Sequence, residues 1–212
     1  MITMLRYFTM FALVLLASCG KNDVAEDVNK DDFISRMAGE PYVGSAKSTL
    51  HLHGYETLPS ANGTGSFHVS HTAGDSVTLA LICNLSGGDG FNFGIPGKQS
   101  GAAWSADFSN GGFAIDPRGA ISGLTQREDQ ELSWNGHLFD DRLMLDVRIK
   151  YLKQEGSITA GSIIHTHLDL VRSRGDNSAT PNGCSIVVWE TRPVFNLYGG
   201  GVDLIQVPVC RE

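Results

Sequence analysis

Charged residues are scarce in this sequence: they make up 18% of the 212 positions, and acidic residues outnumber basic ones to give a net charge of −7. A disordered chain would carry more charge and fewer than the 42% hydrophobic residues found here. A coiled coil or long helical bundle would be dominated by Ala, Glu, Lys, Leu and Arg. The acidic balance argues against a nucleic-acid partner, because such binding requires a basic surface.

Proline is also rare, with 7 residues, whereas the 25 glycines amount to about 12% of the chain against a typical value of about 7%. The glycines concentrate in short groups at 87–90, 111–112 and 199–201, between stretches of β-prone residues. This pattern predicts a β-rich globular protein that is long enough to bury one core.

Motifs for enzyme chemistry are missing from the sequence. It contains no G-x-S-x-G, S-x-x-K or H-E-x-x-H pattern, and its glycine groups lack the lysine and hydroxyl residues of a phosphate-binding loop. Asp140 and Asp141 are adjacent in a turn-like segment, so their carboxylates should point apart rather than act as a glycosidase pair. We therefore predict a non-enzymatic protein with no catalytic residue and no cofactor.

The N-terminal segment is typical of an export signal. Arg6 precedes an uncharged, mostly apolar stretch over residues 7–17, which is too short to span a bilayer comfortably. The sequence Leu16-Ala17-Ser18-Cys19 resembles the lipobox of bacterial lipoproteins. The resemblance implies that residues 1–18 are a signal peptide that is removed, and that Cys19 carries the lipid. A secreted protein with a chance cysteine at this position is the alternative.

A lipidated Cys19 would make a membrane the first expected partner, because several acyl chains anchor a protein stably. In lipoproteins of enteric bacteria, Asp after the cysteine is associated with inner-membrane retention. Gly20 follows Cys19 here, so the resemblance favours the bacterial outer membrane. Residues 19–28 are polar and acidic and predict a flexible tether.

Residues 29–212 are predicted to form a single domain, since no linker composition or internal repeat interrupts them. Asn29 is expected to cap one short helix in which Phe33, Ile34 and Met37 share a face and which Gly39 ends. After this helix the pattern changes to alternation of apolar and polar residues, which is typical of strands.

Alternation predicts about eight to ten strands joined by short connections, with no βαβ units. The fold class is therefore all-β: a single antiparallel barrel or a sandwich, with one short N-terminal helix. In the strand over residues 142–151 the odd-numbered apolar residues should face a core, and the apolar run over residues 77–83 should be covered on both faces. The predicted strands lie over 48–55, 65–71, 75–85, 131–138, 142–151, 162–171, 184–190 and 202–210, with weaker pieces at 91–95, 102–108 and 112–115.

The stretch from Trp134 to Val147, WNGHLFDDRLMLDV, resembles the G-x-L-x-D-D-x-L-x-L-x-V hairpin of calycin-like, lipocalin-type lipoproteins of gut bacteria. Residues 75–79 resemble the turn and strand of the same proteins. The resemblance implies a closed or nearly closed antiparallel barrel and brings no functional residue with it. A barrel of about eight strands holds either one small ligand or side chains alone.

These observations give two hypotheses about the role of the domain. The first is a lipid-anchored envelope protein that binds a small apolar or amphipathic ligand in the barrel or on its rim. The alternative is a structural or adhesive protein that binds a protein partner through an exposed apolar surface. Trp104, Trp134 and Trp189 fit either core packing or the lining of a ligand pocket.

Three cysteines remain if Cys19 is lipidated. Cys184 and Cys210 flank the turn-like residues 196–201, so they would face each other in a symmetric hairpin, and export favours a disulfide between them. Cys83 would then be a buried free thiol within an apolar strand. A bridge between Cys83 and Cys184 would contradict this prediction.

The seven histidines include two H-x-H pairs, His51/His53 and His165/His167. Residues two apart in a strand face the same side, so each pair could bind one metal ion, and neighbouring strands would bring four imidazoles together. Exposed positions on a half-buried strand are the commoner role for such histidines. We predict no metal site. A His-dependent metal-binding protein is the third hypothesis about the role of the domain, with these four residues as its candidate ligands.

Overall fold

The computed structural model describes residues 32–55, 57–87, 90–173, 186–196 and 202–211. Within these ranges the chain forms one short helix, α1 (Phe33–Met37), and twelve strands. The strands are β1 (Tyr42–His51), β2 (Ala61–Ala73), β3 (Ser76–Leu85), β4 (Gly90–Ser100), β5 (Ala103–Phe108), β6 (Gly111–Ile115), β7 (Ala120–Gln126), β8 (Gln130–Leu138), β9 (Arg142–Tyr151), β10 (Ile163–Arg172), β11 (Ile186–Asn196) and β12 (Val202–Arg211).

Strands β1 to β10 form a closed antiparallel barrel. Each strand pairs with the next along the chain, and β10 pairs with β1 to complete the circle. This up-and-down order confirms the all-β class, selects the barrel over the sandwich and fits the calycin-like resemblance. Closure also pairs both edges of the sheet, which would otherwise expose unpaired backbone groups.

Alternation along the strands decides which residues enter the core. On β9, Leu143, Leu145 and Val147 are at most 1% exposed, whereas the intervening Asp146 and Arg148 lie on the outer wall. The predicted orientation of this strand is therefore confirmed. The turn at residues 139–141 joins β8 to β9, with the Phe139 N–H donating to the Arg142 carbonyl at 2.7 Å.

Helix α1 closes one end of the barrel. Phe33 and Met37 are both buried there, as their shared helix face predicts. The helix begins at a different cap from the one expected, because the Asp32 carboxylate accepts the Ser35 N–H at 2.6 Å. Asn29, the expected cap, lies outside the described residues.

Hydrogen bonds to residues in three of the barrel turns fix the position of α1. The Phe33 N–H donates to the Gly101 carbonyl at 2.9 Å, and the Arg36 guanidinium donates to the Pro117 carbonyl and to the Asp140 carboxylate. Because the strands run alternately up and down, the turns containing these three residues lie at the same end of the barrel. We call this end the plugged end and the other the far end.

Strands β11 and β12 form a hairpin outside the barrel. Val207 and Val209 pack against Ala80 and Ile82 on the outer face of β3, and β11 pairs with β4 in parallel over two residues. The predicted coverage of both faces of the apolar run 77–83 is thus confirmed. One face lies in the barrel core and the other lies under this hairpin.

Several strand predictions need correction. Strands β2 and β4 extend beyond the predicted ranges 65–71 and 91–95, and β11 continues to Asn196, past the predicted end at residue 190. The first strand spans Tyr42–His51 rather than residues 48–55, because its first half contains the small residues Gly44 and Ala46, which carry little periodic signal. Strand β7, Ala120–Gln126, was not predicted at all, since Gly123 interrupts its apolar side. The twelve strands found within the described ranges exceed the predicted eight to ten, and ten of them form the barrel.

Several predictions fall on residues that the structure does not describe. They include the signal peptide over 1–18, lipidation of Cys19 and the tether over 19–28. The domain boundaries therefore stay predictions. Among the helices of the described part of the chain, none has the length and apolar character needed to cross a membrane.

Candidate functional site

Aromatic side chains gather inside the barrel toward its far end. The rings of Phe91 and Phe93 stack with centroids 4.9 Å apart, and Phe93 lies 6.1 Å from Trp134. Phe113 lies 4.9 Å from Trp134 and 5.7 Å from Phe108. We call these five residues the aromatic cluster. Phe91, Phe93 and Phe108 are only half-buried, so the cluster reaches the surface at this end.

A glycine between two strands allows the cluster to form. Phe113, Gly123 and Trp134 occupy one row across β6, β7 and β8. A Cβ atom at Gly123 would lie 1.8 Å from Cδ1 of Phe113, so the ring occupies the space that any other side chain would need. The two aromatic rings therefore meet over a backbone that carries no side chain.

The barrel is filled with side chains below the cluster. An internal cavity of about 10 Å³ lies among apolar residues, which is room for about one water molecule. Pockets for small ligands are usually about 300–1,000 Å³. Among the described residues, this cavity leaves no room for a ligand deep in the barrel, so within the barrel a ligand would have to lie at the far end. The cavity is lined by Phe67, Leu79, Trp104, Phe113, Ala114, Ile115, Ile121, Trp134 and Leu145.

The three tryptophans have different environments. Trp104 is 2% exposed, and its indole N–H donates to the Val77 carbonyl at 3.2 Å. Trp134 is 4% exposed, yet its indole N–H has no hydrogen-bond partner among the described residues. Trp189 is 50% exposed on the outer hairpin. The first two are thus packed in the core, and the third is not.

Buried hydroxyl groups lie on the inner wall across from part of the cluster. Thr166 and Ser48 are 0% and 6% exposed, and the Thr166 hydroxyl donates to Ser48 Oγ at 2.9 Å. Both residues belong to the cross-strand row that continues from Trp134 through Val147. The inner surface at this level therefore has an aromatic side and a hydroxyl side.

Cys83 is a buried free thiol, as the sequence predicted. It pairs with Phe91 across β3 and β4 and is 1% exposed. Burial raises the pKa of its thiol to about 12, so the thiol stays protonated and is a poor nucleophile.

The first histidine pair does not share a strand face. Strand β1 ends at His51, whose Nδ1 lies 2.8 Å from the Thr57 hydroxyl. His53 lies in the following turn, where its backbone N–H donates to Ser162 Oγ at 3.0 Å. The prediction that both histidines of this pair lie on one face of a strand is therefore wrong.

The second histidine pair meets a carboxylate on the outer wall. Nε2 of His165 and Nδ1 of His167 lie 3.0 Å and 3.1 Å from the same oxygen of Asp146. Strands β1 and β10 are neighbours, with Thr49 opposite His165 and Lys47 opposite His167. Even so, no group of three or more His, Cys, Asp or Glu side chains in the described ranges has the arrangement of a metal site.

The predicted disulfide falls partly outside the described residues, because Cys184 is not described. The backbone of Cys210 pairs with Val187 in the outer hairpin. The residue opposite Cys210 is therefore three positions later in the chain than the symmetric hairpin predicts. The disulfide between Cys184 and Cys210 stays a prediction.

Sequence reasoning missed the aromatic cluster. Four of its five members lie in the segments where the predicted strand boundaries are weakest, among the glycines of residues 87–123. The two-residue spacing of Phe91 and Phe93 was the available signal, because it places both rings on one face of a strand. Their meeting with Trp134 depends on closure of the barrel, which brings strands about 40 residues apart in the chain to face each other, and periodicity does not report this.

No protein-family model matches this chain, and no curated protein sequence matches it. Among solved structures, the S-type phycobiliprotein lyase CPES from Guillardia theta is similar, with a TM-score of 0.44 and 10% sequence identity. The alignment covers 68% of this chain and 92% of that chain. A similarity this low carries no residue, ligand or activity over to the present protein.

Proposed function

We propose that this protein is a lipid-anchored β-barrel of the bacterial outer membrane that binds a small, mainly apolar ligand at the far end of its barrel. The aromatic cluster is the observation that supports the binding role. Half-buried aromatic rings at a barrel end give a ligand apolar area to cover, and covering it is favourable by roughly 25 cal/mol per Å².

The position of the cluster supports binding there rather than at the plugged end. Phe33 and Met37 fill the plugged end, and the middle of the barrel is packed. The described residues that line the internal cavity include no acid, base or nucleophile, and Cys83 beside the cluster is held protonated. We therefore propose binding rather than catalysis.

Titration of the purified protein with ethylnaphthalene tests the binding role. We expect saturable heat in calorimetry and a higher thermal unfolding midpoint, because a ligand that binds the folded state stabilises it. Phe91→Glu should weaken binding by roughly tenfold or more, since it places a charge beside the apolar ligand. Phe139→Glu is the control, because Phe139 is 40% exposed and lies in a turn at the plugged end. Absence of binding up to the solubility limit of the probe would contradict the proposal.

The lipid anchor rests on the lipobox and needs its own test. Cells that express the full chain can be labelled with an alkyne analogue of palmitate, and the label can then be located by mass spectrometry. We expect it on a peptide that begins at Cys19, with no label in Cys19→Ala and unchanged labelling in Cys83→Ala. Retention of residues 1–18 on the mature protein would overturn the anchor.

The alternative role, binding of a protein partner, has one observation in its favour. Trp189 and Leu204 lie on the outer hairpin and are 50% and 72% exposed. Large exposed apolar side chains are common at protein interfaces. Cross-linking in intact cell envelopes would favour this role if one defined partner is captured by the wild type and lost in a Trp189→Ser, Leu204→Ser double variant.

A further inference from the structure

The indole N–H of Trp134 is a buried donor with no acceptor. Trp134 is 4% exposed, and its Nε1 has no hydrogen-bond partner within the described part of the chain. An indole can donate through this nitrogen alone. Buried polar groups are almost always paired, so an unpaired one calls for a physical reason.

The fold satisfies the equivalent group of the neighbouring tryptophan. Trp104 lines the same internal cavity, and its N–H donates to the Val77 carbonyl at 3.2 Å. A tryptophan can therefore be buried in this barrel with its indole N–H hydrogen-bonded to the backbone. The difference lies in what surrounds Trp134, which touches Phe93 and Phe113 instead of a carbonyl.

The ring of Phe93 lies between Trp134 and the half-buried surface of the aromatic cluster. Phe91 and Phe93 stack above it, and Phe113 lies beside it over Gly123. A ligand that settles among these rings would come within reach of the indole, whereas the cavity on its other side has room for about one water. That cavity is apolar on all sides apart from the indole, so a water there would lack the two or more partners it needs.

We propose that Trp134 determines the chemical class of the ligand: a compound with a planar apolar body and one hydrogen-bond acceptor, such as a carbonyl oxygen, that takes the Trp134 N–H. The inference rests on the proposed binding at the far end of the barrel. It adds a requirement for an acceptor, because an all-carbon ligand would leave the buried donor unpaired.

A matched pair of probes tests this requirement. Acetylnaphthalene and ethylnaphthalene have nearly the same shape, but the first carries a carbonyl where the second carries a methylene group. We expect the wild type to bind acetylnaphthalene roughly fivefold more tightly. Trp134→Phe should abolish this preference, because it removes the donor, while Trp104→Phe should keep it.

An amide and indole NMR spectrum supplies a second measurement that a purely structural role would not change. Trp134→Phe identifies the Trp134 indole signal by its loss. In the wild type, acetylnaphthalene should shift this signal downfield, and ethylnaphthalene should leave it near its free position. The thermal midpoints of both variants, measured without ligand, establish that they fold.

The outcomes separate the two proposals. Equal affinity for the two probes, with no downfield shift, would overturn the acceptor requirement and leave binding at the far end intact. Failure of both probes to bind a folded wild type would overturn the proposed function itself. A preference that persists in Trp134→Phe would assign the donor to another residue and also overturn the inference.

Discussion

Gly123 controls how two aromatic side chains of the barrel meet. It stands between Phe113 and Trp134 in one cross-strand row, and it lets their rings approach to 4.9 Å. Glycine within a strand usually weakens the strand because it contributes no side chain to packing. Here the missing side chain is replaced by the ring of Phe113 from the neighbouring strand.

Substitution of Gly123 by alanine should therefore destabilise the protein. The new Cβ would lie 1.8 Å from Cδ1 and 2.6 Å from Cε1 of Phe113, so the ring has to move. We expect a loss of about 1–3 kcal/mol in the free energy of unfolding, measured by urea denaturation. Ser122→Ala, at an exposed position next to it, should change stability by no more than about 0.5 kcal/mol. Equal stability of the two variants would show that the ring contact is unimportant.

At the scale of elements, the outer hairpin β11–β12 is held against the barrel by a small apolar contact and a few polar ones. Val207 and Val209 pack on β3, and the Arg192 guanidinium donates to the Asn84 amide oxygen at 2.9 Å. His68, on the outer side of β2, lies edge-on to Trp189 of the hairpin with ring centroids 4.9 Å apart. The Nδ1 atom of His68 is buried and has no hydrogen-bond partner among the described residues.

The attachment of this hairpin should weaken in acid. Burial lowers the pKa of His68 below its ordinary value of 6.5, since the charged imidazolium would lose its hydration. The unfolded state then binds the proton more readily, so the contribution of His68 to stability is complete above about pH 6.5 and falls as the pH drops through the lower folded-state pKa. We expect hydrogen exchange of the β11 backbone amides to become faster when the pH is lowered from about 7.5 to about 5, after correction for the intrinsic pH dependence of amide exchange.

The matched variants are His68→Leu and His71→Leu. The first should remove this part of the pH dependence. The second should keep it, because His71 is exposed on the same strand, with Nε2 at 2.9 Å from the Gly74 carbonyl. An unchanged acid response in His68→Leu would assign the effect to another group.

At the scale of the whole molecule, barrel closure depends on one short seam. Strands β4 and β5 pair through three residue pairs, from Lys98↔Ser105 to Ser100↔Ala103, whereas β9 and β10 pair through nine. Pro96 lies on β4 just beyond the seam and has no N–H to donate. A groove of about 410 Å³ lies on the outer wall beside this seam and includes Pro96 and Ser105 in its lining.

The seam should be the first part of the barrel wall to open. Backbone amides of β5 should exchange with solvent roughly tenfold or more faster than those of β9 in native-state hydrogen exchange, because fewer paired groups must separate. The nine-pair contact between β9 and β10 is the internal reference. Uniform protection around the barrel would show instead that the wall opens as one cooperative unit.

Local patterns predicted local features well. The shared face of Phe33 and Met37, the alternation on β9 and the turn at Asp140 depend on neighbours in sequence, and the structure confirms each of them. Strand predictions were weakest where small residues occupy the inward-facing positions, as at Gly123 in β7. The reason is physical, because the periodic signal comes from side-chain hydrophobicity and glycine has none.

The sequence by itself determined the strand-rich class, the faces of the long strands and the short helix, because these follow from the periodicity of apolar side chains along the chain. Only the tertiary structure decided closure through the β4–β5 seam, the place of the hairpin outside β3 and the meeting of His165 and His167 at Asp146. It also decided that Trp134 keeps an unpaired donor beside the aromatic cluster. Periodicity tells which face of a strand is apolar, whereas the partner of that face is set by strand pairings between residues far apart in the chain.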